Sequence, residues 1–481
     1  MDFFNGILGS INDFMYGYIL VGLLVAAGVY FTVRTKFVQF RLLPDSFKQL
    51  LEKNDNASAV SSFQALMIST ASRVGVGNIA GVATAIAAGG PGAVFWMWLM
   101  AILGSASAFI ESTLAQVYKV KNGEEFRGGP SYYIQKALGQ RWLGVIFSLA
   151  LIICFAYGFN SLQANNIVSA FSHYFGGEFP NIFVPASIGL VLSLFTAFII
   201  FKGQKAIAFI SSVIVPVMAI LYMALGLFII GKNFSLVPEM FSLIFSNALD
   251  FKSFAGGFMG SCVLHGIKRG LFSNEAGMGS APNAAAAAQV SHPAKQGLVQ
   301  TLSVFIDTLL ICSTSAFIVL ISGVDYSSMQ AMPLVQQAVS SQVGEWGVTF
   351  ITISIFFFAF SSIIGNYYYT ESNVMFIKNK MGGSMTLFRI SCIIAVFFGS
   401  IAGYDFVWNL ADVLMGIMAI INITVILLLG NTAIRVLNDY CDQKKLGKDP
   451  VFSAKALGIK NAELWDEINY SEDEDMKLTN A

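Results

Sequence analysis

Long apolar runs separated by short polar segments dominate the chain. A run of about 20 apolar residues can cross a bilayer as a helix, since lipid offers nothing to satisfy bare backbone groups. Eleven runs meet that condition, at 14–33, 61–88, 92–118, 143–170, 182–201, 206–231, 254–288, 297–322, 345–376, 387–403 and 407–430. The seventh is too long and too polar for one straight helix, and the tenth is short. The polar segments between the runs differ in charge. Taken alternately, one set carries 20 basic residues, from Arg34 through Lys448, and the other carries only Lys232 and Lys252. Basic residues stay on the inner face of a membrane. The pattern therefore predicts eleven crossings of the cell membrane, with the N-terminus outside and the C-terminus in the cytoplasm. One missed or extra crossing would scramble the asymmetry.

Two of the runs are interrupted. The second contains Ser72-Arg73-Val74-Gly75-Val76-Gly77-Asn78-Ile79-Ala80-Gly81. Glycine is a poor interior helix former. The Gly77 and Gly81 spacing also suits close helix packing, but Arg73 and Asn78 do not belong in a lipid-facing helix. An unwound segment is expected there. The seventh run contains four glycines, a proline and Lys268, Arg269 and Glu275 between His265 and Pro282, and then resumes as Ala284 to Ala288. An ordinary loop there would add a crossing and invert every later loop, which the basic asymmetry forbids. The two breaks lie five crossings apart, so their helices run in opposite directions. Breaks at matching places in halves of opposite topology mark inverted-repeat transporters. The expected organisation is an extra N-terminal helix and inner loop (1–60), a five-helix repeat (61–231), its inverted counterpart (254–430) and a solvated, partly disordered cytoplasmic tail (431–481) ending in Ser471-Glu472-Asp473-Glu474-Asp475. A broken helix offers free N–H groups at one half-helix end, which hold a carboxylate, and freed carbonyls at the other, which hold a cation.

Composition agrees with membrane residence. Hydrophobic residues make up 56% of the 481 and charged residues 12%, and the mean hydropathy is +0.68. The 28 basic residues balance the 28 acidic ones, which argues against nucleic acid as a partner. Five scattered cysteines (Cys154, Cys262, Cys312, Cys392, Cys441) form no disulfide or zinc pattern. The N-terminus lacks a basic leader and a cleavage site, so no removable signal peptide is expected. Without a GxxxxGK[ST] motif an ATP-driven pump is disfavoured. Three distant histidines, at 173, 265 and 292, disfavour a metalloenzyme, so no catalytic residues are assigned.

Val74 to Ile86, Gly89-Gly90-Pro91-Gly92-Ala93-Val94-Phe95-Trp96-Met97-Trp98 and Lys268 to Pro282 resemble signatures of the alanine or glycine:cation symporter family. The resemblance runs on through Lys295 to Leu298 and Asp307-Thr308, and covers about residues 10–440. It implies an all-α integral membrane fold like that of the bacterial leucine transporter, a 5+5 inverted repeat plus one extra N-terminal helix, within the amino acid–polyamine–cation superfamily. It implies sodium-coupled symport of small neutral amino acids by alternating access, proton coupling or a non-transporting amino acid sensor being the alternatives. No cofactor is expected beyond Na⁺ as coupling ion. The expected partners are the amino acid, sodium and membrane lipid, and a monomer is the expected state.

By the same resemblance Gly75, Val76, Gly77 and Asn78 surround the substrate, with Phe272, Ser273, Asn274, Ala276 and Gly277 from the second break. Gln163 either reaches the substrate, as the family pattern implies, or bonds a neighbouring helix. The carbonyls of Ala71 and Val74 with the hydroxyls of Ser361 and Ser362 would hold sodium. Plain intrahelical bonding is the alternative for the two serines. Two positions depart from the family. Val76 replaces a common threonine, and Asn366 replaces a common tryptophan, leaving more room and adding a donor and an acceptor. The departures open the substrate to alanine, glycine or glutamine. Buried charges at Arg73, Glu111, Lys268, Arg269, Glu275, Asp307 and Glu371 should pair in part. Arg73 is expected to bridge Glu275, Asp307 or Glu371, either as a gate or for folding alone.

Overall fold

A computed structural model describes residues 2–52, 60–123, 125–249, 261–329, 331–378, 382–462 and 464–465. Its long helices overlap the predicted apolar runs, and four shorter ones (Leu43–Leu51, Pro130–Leu138, Val237–Ala248 and Ala331–Val343) lie between them. They are α1 (Phe4–Arg34), α2 (Leu43–Leu51), α3 (Ser62–Arg73), α4 (Gly77–Gly89), α5 (Ala93–Val117), α6 (Pro130–Leu138), α7 (Arg141–Phe175), α8 (Phe183–Ile200), α9 (Gln204–Lys232), α10 (Val237–Ala248), α11 (Ser261–Asn274), α12 (Pro282–Ala287), α13 (Pro293–Ile321), α14 (Ala331–Val343), α15 (Glu345–Ile377), α16 (Gly382–Ile401) and α17 (Tyr404–Lys445). Among the described residues nine helices are long and apolar enough to cross a membrane. The α3–α4 pair makes a tenth span, bent by 54°. The seventh run forms α11 and α12, separated by non-helical residues, and its beginning lies outside the described residues.

Helix α8 shows how the sequence divides its faces. Leu190, Leu194 and Phe198, four residues apart, are 52%, 62% and 61% exposed, whereas Leu192, Thr196 and Ile200 are fully buried. Apolar side chains at helical spacing that face outward in this way meet lipid rather than water. On the inner side, four spans of the first half pack on spans of the second: α4 on α11, α5 on α13, α7 on α15 and α8 on α16. Helix α9 lies along α3, α17 against α5, and α1 against α5 and α17.

The fold is all-α as expected, with one small exception: Val120–Asn122 and Glu125–Arg127 pair as a short antiparallel hairpin. Gly123, directly after the paired Asn122, takes φ +66°, the left-handed conformation that tight hairpin connections favour. One expectation needs correction: the tail is more ordered than its polarity implied. Helix α17 runs on to Lys445, and residues 446–462 with Leu464 and Trp465 fold back against the same end of the bundle. Phe452 and Trp465 are buried there at 0% and 1% exposure, so apolar burial offsets the ordering entropy. The acidic stretch from Ser471 to Asp475 lies outside the described residues.

Candidate functional site

The two breaks face each other in the interior. Helix α3 ends when Val74 turns to an extended conformation (φ −76°, ψ 92°) after its N–H reaches the Thr70 carbonyl. The Gly75 N–H goes to Asn78 Oδ1 at 3.1 Å, and the Val76 N–H goes to Gln163 Oε1 at 3.1 Å. The Gly75 N–H would have served the Ala71 carbonyl in a continuous helix, so that carbonyl is released. Asn78 competes with the helix for backbone groups, which is why asparagine marks helix ends. At Gly77 an added Cβ would stand 2.8 Å from the Phe272 ring. Only glycine lets the second break approach so closely.

The second break is held by a carboxylate. After Asn274 the chain carries positive φ at Glu275 (55°), Gly277 (83°) and Gly279 (86°). Asn274 Oδ1 accepts the Ala276 N–H at 3.0 Å. Glu111 of α5 accepts the N–H groups of Gly277 and Gly279, each at 3.1 Å, and the Asn422 amide at 2.7 Å. Asn422 also donates to the Gly277 carbonyl at 2.9 Å and accepts from the Tyr133 hydroxyl. The fully buried Glu111 carboxylate thus accepts from two backbone N–H groups and one side-chain amide, and the Arg73 charge attracts it as well.

Between the breaks lies the Phe272 ring, edge-on to Phe159 at 4.9 Å and 5.5 Å from Trp408. Next to it Asn78 donates to Asp307 Oδ1 at 2.7 Å, while the Ser273 and Thr308 hydroxyls donate to Asp307 Oδ2. Helices α4, α11 and α13 thus meet on one buried carboxylate. On the side toward α15, the Ser72 hydroxyl lies 2.8 Å from Glu275 Oε1 and 2.7 Å from Asn366 Oδ1, and Asn366 Nδ2 lies 2.9 Å from Asn160 Oδ1. One hydroxyl proton serves one acceptor, and Asn160 Nδ2 is left without a partner. Turning both amides over gives each of these three contacts one donor and one acceptor, with Asn160 donating to Asn366, Asn366 to Ser72 and Ser72 to Glu275.

The structure sorts the expected site residues. It brings Gly75, Val76, Gly77, Gln163 and Phe272 together, and joins Asn78 and Ser273 through Asp307. Ala71, Val74 and Ser362 converge, the Ser362 hydroxyl lying 3.4 Å from the Val74 carbonyl. The Ser361 hydroxyl bonds the Phe358 carbonyl at 2.8 Å, inside its own helix. Asn274 caps its own break. Ala276 and Gly277 face α5, at Gly104 and Glu111, rather than the first break. Asn366 is fully buried and engaged at both ends of its amide.

Among the described residues Arg73 makes no hydrogen-bonded bridge. It is 2% exposed and its three guanidinium nitrogens have no hydrogen-bond partner there, although its charge attracts Glu275 and Asp307. The three carboxylates proposed for it are engaged elsewhere. Glu275 is held by the Ser72 and Ser280 hydroxyls, Asp307 by Asn78, Ser273 and Thr308, and Glu371 by Arg389 at 3.3 Å. Lys268 and Arg269 share one oxygen of Asp412, and Arg269 lies 4.4 Å over the Trp408 ring. Sequence reading missed the roles of Asp412, Asn422, Ser72 and Asn160. Asp412 and Asn422 carried a signal, being isolated polar residues within the last apolar run.

A sequence model of the sodium:alanine symporter family matches residues 1–454. The amino-acid carrier protein AlsT of Bacillus subtilis is 49% identical, over 97% of this chain and 98% of its own. The probable sodium/glutamine symporter GlnT of Bacillus subtilis is 45% identical, over 95% of both chains. The sodium/alanine symporter AgcS of Methanococcus maripaludis is 36% identical, over 90% of this chain and 96% of its own. Among solved structures, MhsT in complex with L-phenylalanine superposes with a TM-score of 0.57 at 13% identity, covering 85% of this chain and 95% of that one. That likeness concerns the fold alone.

Proposed function

The chain belongs to the sodium:alanine symporter family, and we infer from that membership and from its site that it is a secondary active transporter of the cell membrane, coupling sodium to the uptake of a small neutral amino acid by alternating access. It is a membrane transporter and not an enzyme. The topology we propose has eleven crossings, with the N-terminus outside and the C-terminus in the cytoplasm. Five of them (residues 61–231) form a repeat inverted in the next five (254–430), and one helix stands outside it. The pairing of α4, α5, α7 and α8 with α11, α13, α15 and α16 supports that symmetry, and the basic asymmetry supports the orientation.

One observation carries the site. At the first break two backbone N–H groups, of Gly75 and Val76, leave the helical ladder and are held by side chains, Asn78 and Gln163, beneath the Phe272 ring. A substrate carboxylate takes over those donors without any basic side chain. The same unwinding releases the Ala71 carbonyl and brings the Val74 carbonyl to the Ser362 hydroxyl. An all-oxygen set of this kind suits a hard monovalent cation. Both serine hydroxyls also bond the Phe358 carbonyl, Ser361 at 2.8 Å and Ser362 at 3.0 Å, and Ser362 fits the sodium role better because it alone of the two reaches the Val74 carbonyl. Phe272 closes the pocket, and Ser273 and Asn78 complete it through Asp307. Asn274, Ala276 and Gly277 shape the second break rather than touch the substrate. Alanine and glycine fit the family, and glutamine is admitted because Asn366 stands where a larger ring would fill space.

Uptake of labelled alanine, glycine and glutamine into proteoliposomes, with and without a sodium gradient, tests the reading. A sodium gradient should drive accumulation of at least one of them. Uptake indifferent to both sodium and proton gradients overturns it.

A further inference from the structure

Residues 449–462 with Leu464 and Trp465 are tied to four separate pieces of the bundle at one end. Asp449 accepts from the buried Lys295 ammonium at 3.0 Å, at the start of α13. Ser291, in the link between α12 and α13, donates its hydroxyl to the Pro450 carbonyl at 2.9 Å and accepts the Phe452 N–H at 3.0 Å. The Gln443 amide of α17 clips both backbone groups of Val451 at 2.9 Å. Asn461 donates to the Lys136 carbonyl of α6 at 2.7 Å. Trp465, 1% exposed, donates to the Gln116 carbonyl at the end of α5 at 3.0 Å.

The last contact is reinforced. The Lys119 ammonium lies 4.7 Å from the Trp465 ring and 4.3 Å from the Phe126 ring, and donates to the Ala288 carbonyl at 3.0 Å. A cation enclosed by aromatic faces is attracted to each. Phe452 stacks edge-on to both Trp465 (5.2 Å) and His292 (5.6 Å). Helices α5, α12 and α13 pack as one group, and α6 packs on α7, which with α15 and α16 forms a second group. A segment bound to both groups restrains any separation of them at this end.

We propose that residues 449–462 with Leu464 and Trp465 form a latch over the cytoplasmic mouth, with Trp465 as its bolt and the Lys119–Phe126 cage as its catch, and that release of Trp465 precedes opening to the cytoplasm. The proposal rests on the alternating-access reading and the orientation given above. The latch makes the cytoplasmic opening sensitive to whatever engages the C-terminal segment, without any contact with the substrate.

The test reads accessibility rather than transport, so its failure is distinguishable from failure of the symporter reading. A cysteine is placed at Ala287, 4% exposed on α12, in a background carrying Cys441→Ser, and alkylated with a polar maleimide in the purified full-length protein. Trp465→Ala should speed alkylation at position 287 about tenfold, which corresponds to roughly 1.4 kcal/mol. Trp465→Phe should stay near the unaltered rate, because the ring on Lys119 and Phe452 is kept. The buried native Cys154 serves as a sentinel for general loosening. The latch is refuted if Trp465→Ala, and a chain ending after Gly447, both label at the unaltered rate. It is equally refuted if Cys154 labelling rises in parallel.

Discussion

Gly77→Ala is the sharpest test of how the two broken helices meet. The new methyl would stand 2.8 Å from Cδ1 and 2.9 Å from Cε1 of Phe272, and 3.5 Å from Cα of Ser273. Non-bonded carbons settle at about 3.5–4.0 Å, so the ring must retreat by roughly 0.7 Å. Its retreat is blocked by Phe159, 4.9 Å away centroid to centroid, and by Trp408 at 5.5 Å. Overpacking in a filled interior costs about 1–3 kcal/mol, a weakening of sodium-dependent alanine binding by about 5- to 150-fold. Phe272→Leu removes the offending ring edge. In a double-mutant cycle the pair should couple by at least ~1 kcal/mol, against the ~0.5 kcal/mol within which independent sites add. Equilibrium binding of labelled alanine to purified protein, with thermal unfolding alongside, supplies both axes of the cycle. Binding by Gly77→Ala equal to that of the unaltered protein, or simple additivity with Phe272→Leu, would refute the idea that this contact sets the pocket.

Glu111→Gln keeps the shape of the side chain but turns one acceptor into a donor facing N–H groups. The loss of one or two charge-assisted bonds at about 1.5–3 kcal/mol each should lower both substrate affinity and thermal stability. Unchanged values in both would show that the Gly277–Gly279 turn holds without it. Asp412→Asn leaves Lys268 and Arg269 buried without their carboxylate, and should destabilise the protein by about 3–5 kcal/mol in chemical or thermal unfolding. A melting curve that superposes on the original counts against the shared ion pair. Asn366→Trp fills space beside Ser72 and Asn160 and should reduce glutamine uptake far more than alanine uptake; an equal loss would make the residue purely structural. Exchanging sodium for choline should lower thermal stability by about 2.7 kcal/mol when sodium had been present at a hundred times its dissociation constant. A melting temperature indifferent to the exchange argues against sodium binding to the folded state.

The sequence by itself determined where the long apolar helices and the two breaks lie, though not the shorter helices α2, α6, α10 and α14 between them. Apolar runs locate spans because lipid tolerates no unpaired backbone, and Val74-Gly75-Val76-Gly77-Asn78 and Glu275-Ala276-Gly277-Met278-Gly279 announce breaks because glycines and polar side chains oppose a helix locally. Partners were another matter. Arg73 is next to the first break in sequence, which made Glu275, Asp307 or Glu371 reasonable mates for it. Yet Ser72, Asn78 and Arg389 reach those carboxylates first. Asp412 lies 143 positions from Arg269, and Asn422 lies 311 from Glu111. Nothing local in the chain encodes such pairings. The tail was misread for the same reason. The apolar residues between Val451 and Trp465 are scattered among lysines and a glycine with no span-length run, so they signal no structure alone, and Phe452 and Trp465 become buried where Gln116, Lys119 and His292 arrive from distant helices to cover them. Periodicity and glycine placement are one-dimensional properties and survive in the sequence. Which buried charge meets which donor depends on where the helices pack, and that was decided by the tertiary structure.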